Sequence, residues 1–338
     1  MNTQNHNVLR YTNVSHRKAM LRFVLNWLLI IAIFFVLFSR IKLVDVFALL
    51  EQTDIKLLCT GILFSLFAHV IFSSARYQKI VQALGCRLSF YEAVIIRMGC
   101  NPIKGILPFK VGELAILAYM KKKHDLPYAK GLFSLLFGYV FSFIVLILFF
   151  SFGGIFYFHN TPQRIIFAAS FLLILLFITT LILQKNPRLI TKYLNKIQKL
   201  PEEIKFLIEK YDSKTIKNII LHSLGIEGSK LLIIFFILKS LRIDISMDAL
   251  LLLGSTTIIA AYLPITYWGL GIRESAILTL FSVYATPEKL LAGSLLITFI
   301  DGLLPVLLGL FFIKPFLNSL WEGEKAGKEV LPDRSEKI

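Results

Sequence analysis

Two stretches of the chain, far apart in the sequence, carry the same unusual set of residues. Each contains Leu-Pro, a glycine-bearing interruption and a glutamate, followed by x-Ala-Ile-Leu at the start of an apolar segment. The first copy runs from Leu107 to Leu117 and the second from Leu263 to Leu278. Proline and glycine interrupt helices, and the unpaired N–H groups where a helix resumes suit an anion such as phosphate. The two copies therefore predict a pair of anion-binding helix breaks.

Charged and polar side chains concentrate at these breaks, and glycine lets a ligand approach the backbone closely. We expect one set to hold a phosphate-bearing head group and a second set to gate or couple its movement. The predicted head-group residues are Arg97, Asn101, Lys110, Gly112, Gly271 and Arg273. The predicted gating or coupling residues are Glu113, Glu274 and Asp301, and the predicted helix breaks are Pro108, Pro264 and Gly269.

Each acidic residue has two interpretations. A buried Glu113 or Glu274 would take up a proton when the anion leaves and release it when the anion binds. Alternatively, each glutamate forms an Arg–Glu pair that locks its break to a neighbouring helix. Asp301, next to Gly302, either lies on the ligand path or caps a kink before a proline. The isolated His69 and another histidine, His222, are predicted to pack between helices.

The elements that position these residues are membrane helices. Apolar residues make up 56% of 338, phenylalanine occurs 30 times, and mean hydropathy is +0.72. The apolar residues form long runs and not the period-2 or period-3.6 patterns of a soluble domain. The formal charge of +16 lies mostly between the runs, which is typical of loops that face anionic lipid. The composition excludes a soluble enzyme and makes nucleic-acid binding a poor interpretation.

About 20 apolar residues are needed to cross a bilayer. Six runs approach this length: Phe23–Ser39, Leu57–Ala75, Gly131–Ser151, Ile165–Leu183, Ile216–Leu238 and Leu290–Ile313. Two further apolar regions are interrupted: Glu92–Met120 by Asn101, Pro102, Gly105, Pro108 and Gly112, and Ala249–Ala285 by Pro264, Gly269 and Gly271. The flanking pieces are too short to cross. We expect each region to form a re-entrant hairpin. The alternative is that the breaks are ordinary kinks in full-length spans.

Basic residues set the predicted orientation. The N-terminal tail, the region 76–130 with Arg76, Lys79 and Arg87, and the loop 185–217 are rich in lysine and arginine, which predicts that they are cytoplasmic. Counting crossings puts both termini inside and the two hairpins on opposite faces, related by inversion, each with its own pocket. The predicted organisation is a tail at 1–22, one membrane domain at 23–313 and a disordered cytoplasmic tail at 314–338. Within it, repeat 1 covers about 23–130, central spans and an amphipathic linker about 131–215, and repeat 2 about 216–313.

Soluble-type catalytic sites are missing from the sequence. It contains no glycine-rich nucleotide loop, no Ser–His–Asp arrangement and no DxD pair. Cys59, Cys86 and Cys100 lack metal-ligand spacing, and we interpret them as small hydrophobic residues. We therefore expect no metal and no cofactor.

The same residues resemble the lysylphosphatidylglycerol synthase transmembrane-region family of flippase-like integral membrane proteins. The resemblance spans about 26–313 and rests on Arg76 with Gly85, on Asn101, Leu107-Pro108 and Gly112-Glu113, and most strongly on the block from Leu263 to Glu274. Larger relatives add a cytosolic domain that transfers amino acids from tRNA to phosphatidylglycerol. The resemblance implies that this chain has the flippase-like unit without that synthase domain.

The sequence as a whole predicts an all-α polytopic protein with about six transmembrane helices and two re-entrant hairpins in an inverted repeat. The expected location is a bacterial inner membrane. The expected function is translocation of a phosphate-bearing lipid, an anionic phospholipid or a polyprenyl-phosphate lipid, and the chain is compatible with a homo-oligomer. The alternatives are a membrane-embedded transferase or accessory protein acting on a lipid-linked sugar or aminoacyl lipid, and a non-transporting scaffold.

Overall fold

The computed structural model describes residues 28, 31, 35, 43–107, 111–183, 211–263, 266 and 269–328, and nearly all of these residues are helical. The helices, in chain order, are α1 Leu43–Glu51, α2 Ile55–Ala83, α3 Phe90–Ile106, α4 Leu114–His124, α5 Tyr128–Tyr157, α6 Thr161–Leu183, α7 Ser213–Ser240, α8 Met247–Tyr262, α9 Ile272–Leu280, α10 Pro287–Thr298 and α11 Leu304–Lys328. The chain is therefore an all-α protein, as its sequence predicted.

Within the described residues, five helical segments are long and apolar enough to cross a membrane: α2, α5, α6, α7 and the continuous segment of α10 and α11 up to Leu320. They correspond to five of the six predicted spans. The remaining run, Phe23–Ser39, falls mostly outside the described residues, as does the predicted amphipathic linker. In the part of the chain that the structure describes, π-helical turns occur at Phe67–Phe72 in α2, at Leu250–Gly254 in α8 and at Phe299–Leu303, which joins α10 to α11.

The first interrupted region folds back on itself. Helix α3 ends at Ile106, and a 3₁₀ turn at Val111–Glu113 leads into α4. A Cβ on Gly112 would lie 2.6 Å from the Lys104 Cα, so the returning chain lies directly against the end of α3. At the other end, the Tyr119 hydroxyl in α4 donates to Glu92 Oε1 near the start of α3, at 3.0 Å. The two helices are therefore antiparallel arms of a hairpin.

The first hairpin differs from expectation in one respect. The sequence predicted breaks at Asn101, Pro102 and Gly105, yet α3 runs through all three for 17 residues. At 1.5 Å per residue it is about 26 Å long, still short of a bilayer core. Pro102 removes the helical hydrogen bond of the Met98 carbonyl, and α11 packs closely at this point, since a Cβ on Gly309 would lie 2.7 Å from the Pro102 Cδ.

The second interrupted region also folds back. Helix α8 ends at Tyr262 and α9 begins at Ile272, so the break lies where the sequence predicted it. Gly269 has φ +73°, and a Cβ there would lie 2.9 Å from the Ala261 Cα. Only glycine combines this left-handed backbone with such a close approach.

The two hairpins reach the middle of α5 from opposite ends. Near the start of α5, Gly131 packs on Leu117 of the first hairpin, while near its end Gly153 packs on the backbone of Leu252 in the second. Between them, the Tyr139 hydroxyl donates to Glu113 Oε1 at 2.6 Å, and its ring lies 6.1 Å from the Tyr262 ring. Both breaks therefore meet beside Tyr139.

The apolar core is divided in two. One cluster includes Ile96, Met120 and Ile219, and the other includes Ile234, Leu250 and Ile277. On α7, the residues between the two clusters include the polar Ser223, Glu227 and Lys230. A polar layer thus separates two apolar cores at the level where the breaks meet.

The C-terminal segment is more ordered than its polarity suggests. Helix α11 continues to Lys328, so the predicted disorder from residue 314 is wrong up to that position. Phe316 is fully buried and stacks on Tyr119 with ring centroids 5.3 Å apart. Lys122 Nζ also donates to the Leu320 carbonyl at 2.7 Å. These contacts hold the helix against the first hairpin.

Candidate functional site

The first break is held in place by contacts to the end of α3. The Cys100 thiol donates to the Gly112 carbonyl at 3.2 Å, and Lys104 Nζ lies 4.0 Å from Glu113 Oε1. The Asn101 side-chain amide donates to the Pro305 carbonyl at 3.2 Å, which ties α3 to α11. These contacts place Lys104 and Glu113 together at the tip of the first hairpin.

At the second break, the first turn of helix α9 carries two adjacent charged residues, Arg273 and Glu274, whose side chains contact different parts of the structure. Glu274 is fully buried: its Oε2 accepts the Gly271 N–H at 2.5 Å, and its Oε1 accepts the Thr298 hydroxyl at 2.6 Å. Arg273 reaches the other way, with Nη2 3.2 Å from Asp301 Oδ2. Glu274 therefore joins the break to the neighbouring helix α10, but through Thr298 and the Gly271 N–H, and among the described residues the predicted Arg–Glu pair is not formed.

Both breaks line one cavity of about 190 Å³. The sequence predicted a separate pocket at each break, but the hairpins meet tip to tip, and their residues face a common space. The polar residues that line it come from α2, α3, α5, α8, α9, both breaks and the π-helical turn before α11: His69, Asn101, Lys104, Glu113, Tyr139, Tyr262, Thr266, Arg273 and Asp301.

Asp301 is the centre of an ion-pair network in this cavity. His69 Nε2 lies 3.0 Å from Asp301 Oδ1, and Arg273 Nη2 lies 3.2 Å from its Oδ2. Asp301 and His69 both sit in π-helical turns, which often mark functional sites in helices. Pro305 explains the turn at Asp301, because its missing N–H leaves the Asp301 carbonyl without its helical partner.

A second polar cluster adjoins the cavity on α7. Lys230 Nζ donates to the Tyr262 hydroxyl at 2.6 Å, and that hydroxyl donates to Glu227 Oε1 at 2.8 Å. Lys230 Nζ also lies 3.8 Å from Glu227 Oε2. A smaller cavity of about 40 Å³ shares Tyr262, Arg273 and Asp301 with the main one and extends to Lys230. The buried charges thus form one connected layer.

Two buried polar atoms at the cavity have no hydrogen-bond partner among the residues that the structure describes. They are Nη1 of Arg273 and Oγ1 of Thr266. Leaving a buried donor unpaired costs roughly 1–3 kcal/mol, and more when the group is charged. An unpaired guanidinium nitrogen and a hydroxyl beside an open cavity can chemically donate hydrogen bonds to an oxyanion or a polyhydroxyl group.

The structure brings together five of the nine predicted site residues that it describes: Asn101, Glu113, Gly269, Arg273 and Asp301 line the cavity. Four others are absent from its lining. Gly112, Gly271 and Glu274 belong to the breaks but lie outside the cavity lining, and Arg97 lines a separate, smaller cavity. Lys110, Pro108 and Pro264 are outside the described residues.

Several residues of the site escaped prediction. His69 was expected only to pack between helices, and Lys104, Tyr139, Tyr262 and Thr266 were not assigned to the site. Glu227 and Lys230 were also missed, although their charges interrupt the apolar run of α7, which was a usable signal. The two tyrosines carry no such signal, because tyrosine is common in membrane helices.

Arg76 also lies in a different environment from the one predicted. The sequence grouped it with cytoplasmic surface charges, but α2 extends to Ala83 and Arg76 is only 9% exposed. Its Nη1 donates to Ser142 Oγ at 2.8 Å and to Ser223 Oγ at 3.0 Å. Serines from two other spans thus take the place of water around this guanidinium.

Comparison with known proteins assigns the family. The family model described as lysylphosphatidylglycerol synthase TM region matches residues 23–309, which covers both hairpins and all the site residues described above. No curated protein matches the chain. With most of its length inside that match, the chain belongs to the lysylphosphatidylglycerol synthase transmembrane-region family.

Proposed function

We propose that this protein translocates a phosphate-bearing lipid between the leaflets of a bacterial inner membrane. The observation that carries the proposal is the unpaired Nη1 of Arg273 beside a polar cavity. The cavity lies at the tips of two hairpins that approach from opposite ends of α5. In an apolar environment a free guanidinium donor strongly favours an anionic partner, and arginine matches phosphate oxygens in geometry.

The proposed path uses the opposite directions of the hairpins. With lysine-rich loops and both termini in the cytoplasm, the first hairpin enters from the cytoplasmic face and the second from the outer face. A head group held beside Arg273 would then be reached from one leaflet when the first hairpin moves and from the other when the second moves. Helix breaks in two halves of a membrane protein are typical of transport sites.

The roles inside the cavity follow from the contacts. Arg273 and Thr266 would bind the phosphate, and the ammonium of Lys104 would add positive charge at the first break. Glu113 and Asp301 line the same cavity and carry the proposed gating or coupling role. An anion that approaches Arg273 competes with Asp301 for the guanidinium, so binding and release would be linked to rearrangement of the His69–Asp301 pair.

The proposal is tested by lipid exchange in reconstituted vesicles. Full-length protein is placed in phosphatidylglycerol-containing vesicles with a fluorescent phosphatidylglycerol, and the outer-leaflet label is quenched with dithionite. We expect exchange above that of protein-free vesicles, and Arg273→Gln should reduce its rate by at least tenfold. The exposed Arg87→Gln is the matched control and should exchange like the wild type. Equal rates in wild-type and protein-free vesicles over a panel of anionic lipids would refute transport.

The same vesicles separate transport from the enzymatic alternative. Mass spectrometry of the recovered lipids should show unchanged masses if the protein only moves them. Covalently modified lipid that depends on the protein would instead favour a transferase. A stoichiometric protein partner and a thermal stability that ignores added lipid would favour a scaffold.

A further inference from the structure

Two arginines near the first half of α5 form a second cluster of positive charge, with Arg76 buried and Arg97 partly buried. Arg76 on α2 is 9% exposed and donates to two serines, and Arg97 on α3 donates its Nε–H to Ser73 Oγ at 3.0 Å. The Arg97 guanidinium also lies over the Tyr77 ring, 5.8 Å from its centroid. Every one of these contacts is to a neutral group.

The other cations of the polar layer each have a carboxylate close by. Lys104, Lys230 and Arg273 each lie within 4.0 Å of a carboxylate oxygen. Among the described residues no carboxylate lies this close to Arg76 or Arg97. The acid that faces Arg76 is Glu227 on α7, and its own close cation is Lys230. Uncompensated charge is expensive at membrane depth and usually marks function.

A small cavity of about 30 Å³ opens between these arginines. Ser73, Tyr77, Ser134 and Gly138 complete its lining. Tyr77 is only 4% exposed, and its hydroxyl makes no well-formed hydrogen bond among the described residues, although the Ser134 side chain lies near it. The site therefore combines two guanidinium groups, whose present partners are serine hydroxyls, with a buried tyrosine hydroxyl that could donate to a ligand.

The small cavity lies next to the main one. Tyr139 lines both cavities, so they adjoin at this side chain. The remaining α5 residues of the small cavity, Ser134, Leu135 and Gly138, precede Tyr139 in the helix and lie closer to its start. The first hairpin, with Lys121, Lys122 and Lys123, packs at that same end of α5.

We propose that Arg76, Arg97 and Tyr77 form a second anion subsite that takes the phosphate ester of the transported lipid before or after it reaches Arg273. The proposal rests on the proposed function for its place on a path, while the anion site itself is independent of transport. In its present form the cavity has room for little more than one phosphate oxygen, so Tyr139 and Arg97 would move apart as the lipid phosphate enters. A two-step path keeps the phosphate beside a cation throughout.

The test uses the full chain in a neutral detergent and follows its thermal unfolding. Dihexanoyl phosphatidylglycerol and inorganic phosphate are titrated separately at fixed ionic strength. The variants are Arg97→Gln, Arg97→Lys and Tyr77→Phe, with Lys79→Gln as the control on the neighbouring face of α2. We expect the short-chain lipid to stabilise the wild type and the control equally. Arg97→Gln should weaken the apparent affinity about 10- to 100-fold, as expected for loss of a charged hydrogen bond, and Arg97→Lys should restore part of it.

Tyr77→Phe separates a ligand role from a structural one. Removing an unpaired buried hydroxyl should leave the unfolding temperature of the ligand-free protein unchanged or higher. The same variant should respond less to the short-chain lipid. A hydroxyl with only a packing role would show no such ligand-dependent difference.

Three outcomes would overturn the inference. The first is a lipid response in Arg97→Gln and Tyr77→Phe equal to that of the wild type. The second is stabilisation by inorganic phosphate with none by the short-chain lipid, which would make the site one for free phosphate. The third is loss of the lipid response in Lys79→Gln as well, which would indicate a general charge effect. If lipid binding depends on Arg97 but vesicles show no exchange, the subsite stands and the transport proposal falls.

Discussion

His69 and Asp301, 232 positions apart in the sequence, face each other across the cavity with Nε2 and Oδ1 separated by 3.0 Å. Each lies in a π-helical turn of its own helix. The other oxygen of Asp301 holds Arg273 at the opening of α9. One carboxylate therefore joins a spanning helix, the last helix and the second break.

Asp301→Asn should destabilise the protein and stop lipid exchange. Arg273 would be left as a buried cation without its carboxylate, and breaking a buried ion pair costs about 3–5 kcal/mol. Unfolding in mixed detergent micelles measures the loss, and vesicle exchange measures function. The exposed Asp45→Asn in α1 is the control and should match the wild type in both. An Asp301→Asn protein of full stability and full activity would show that the network is dispensable.

Glu274→Gln tests the two roles considered for this residue. Glutamine keeps a carbonyl oxygen for the Gly271 N–H and an amide for the Thr298 hydroxyl, so we expect a stable protein that retains most of its exchange. Glu274→Ala removes both contacts and should lower the free energy of unfolding by about 1 kcal/mol or more, as for a lost helix cap. If Glu274→Gln folds normally but exchanges no lipid, its carboxylate is a coupling group after all.

Gly112→Ala and Gly269→Ala should each disrupt a hairpin tip. The added Cβ would meet backbone atoms at 2.6 Å in the first case and 2.9 Å in the second, and backbone cannot move aside as a side chain does. We expect lower thermal stability and slow exchange for both. Gly228→Ala in α7 is the matched control, since its Cβ would have only Phe149 at 3.9 Å. This control should be neutral or up to about 1 kcal/mol more stable, since alanine favours a helix interior over glycine.

Acidification should loosen the first hairpin through Glu92. Burial alone would raise the pKa of Glu92, but hydrogen bonds from Lys123 and His124 outweigh it and lower the pKa below the ordinary 4.5. Tyr119 also donates to the same carboxylate. A carboxyl with a lowered folded-state pKa stabilises the fold above its unfolded pKa, and that contribution disappears as the pH falls through the folded one.

The measurement is the unfolding temperature between pH 7 and pH 3. We expect the wild type to lose stability below about pH 4.5, the ordinary pKa of this group. Glu92→Gln should start lower and show a smaller decline over that range. The exposed Glu51→Gln should keep the wild-type profile. Parallel profiles for Glu92→Gln and the wild type would show that Glu92 does not carry the acid sensitivity.

The sequence predicted the features that depend on local composition. Long apolar runs identified five spans, and the second break lies where Pro264, Gly269 and Gly271 interrupt the pattern. Whether α3 continues through Pro102 depends on its partner helix α11. Gly309, 207 positions away in the sequence, leaves room there for the proline ring. Local signals cannot report such a contact.

The composition of the site was only partly predictable for a similar reason. The charge of Asp301 stood out in an apolar run, but its partner His69 resembled a packing residue until the fold placed the two π-helical turns together. Arg76 looked like a loop charge because it follows the second apolar run. Its burial depends on the serines supplied by α5 and α7, together with Glu227 on α7.

The polar layer between the two apolar cores is a plane along which one core could move relative to the other. Each core can keep its own close packing while the layer between them exchanges one set of hydrogen-bond and ion-pair partners for another. Such a change would then involve mainly the few side chains around Tyr139. If the protein translocates a phosphate-bearing lipid as proposed, rocking of the two cores about this polar layer would expose the phosphate to one side at a time.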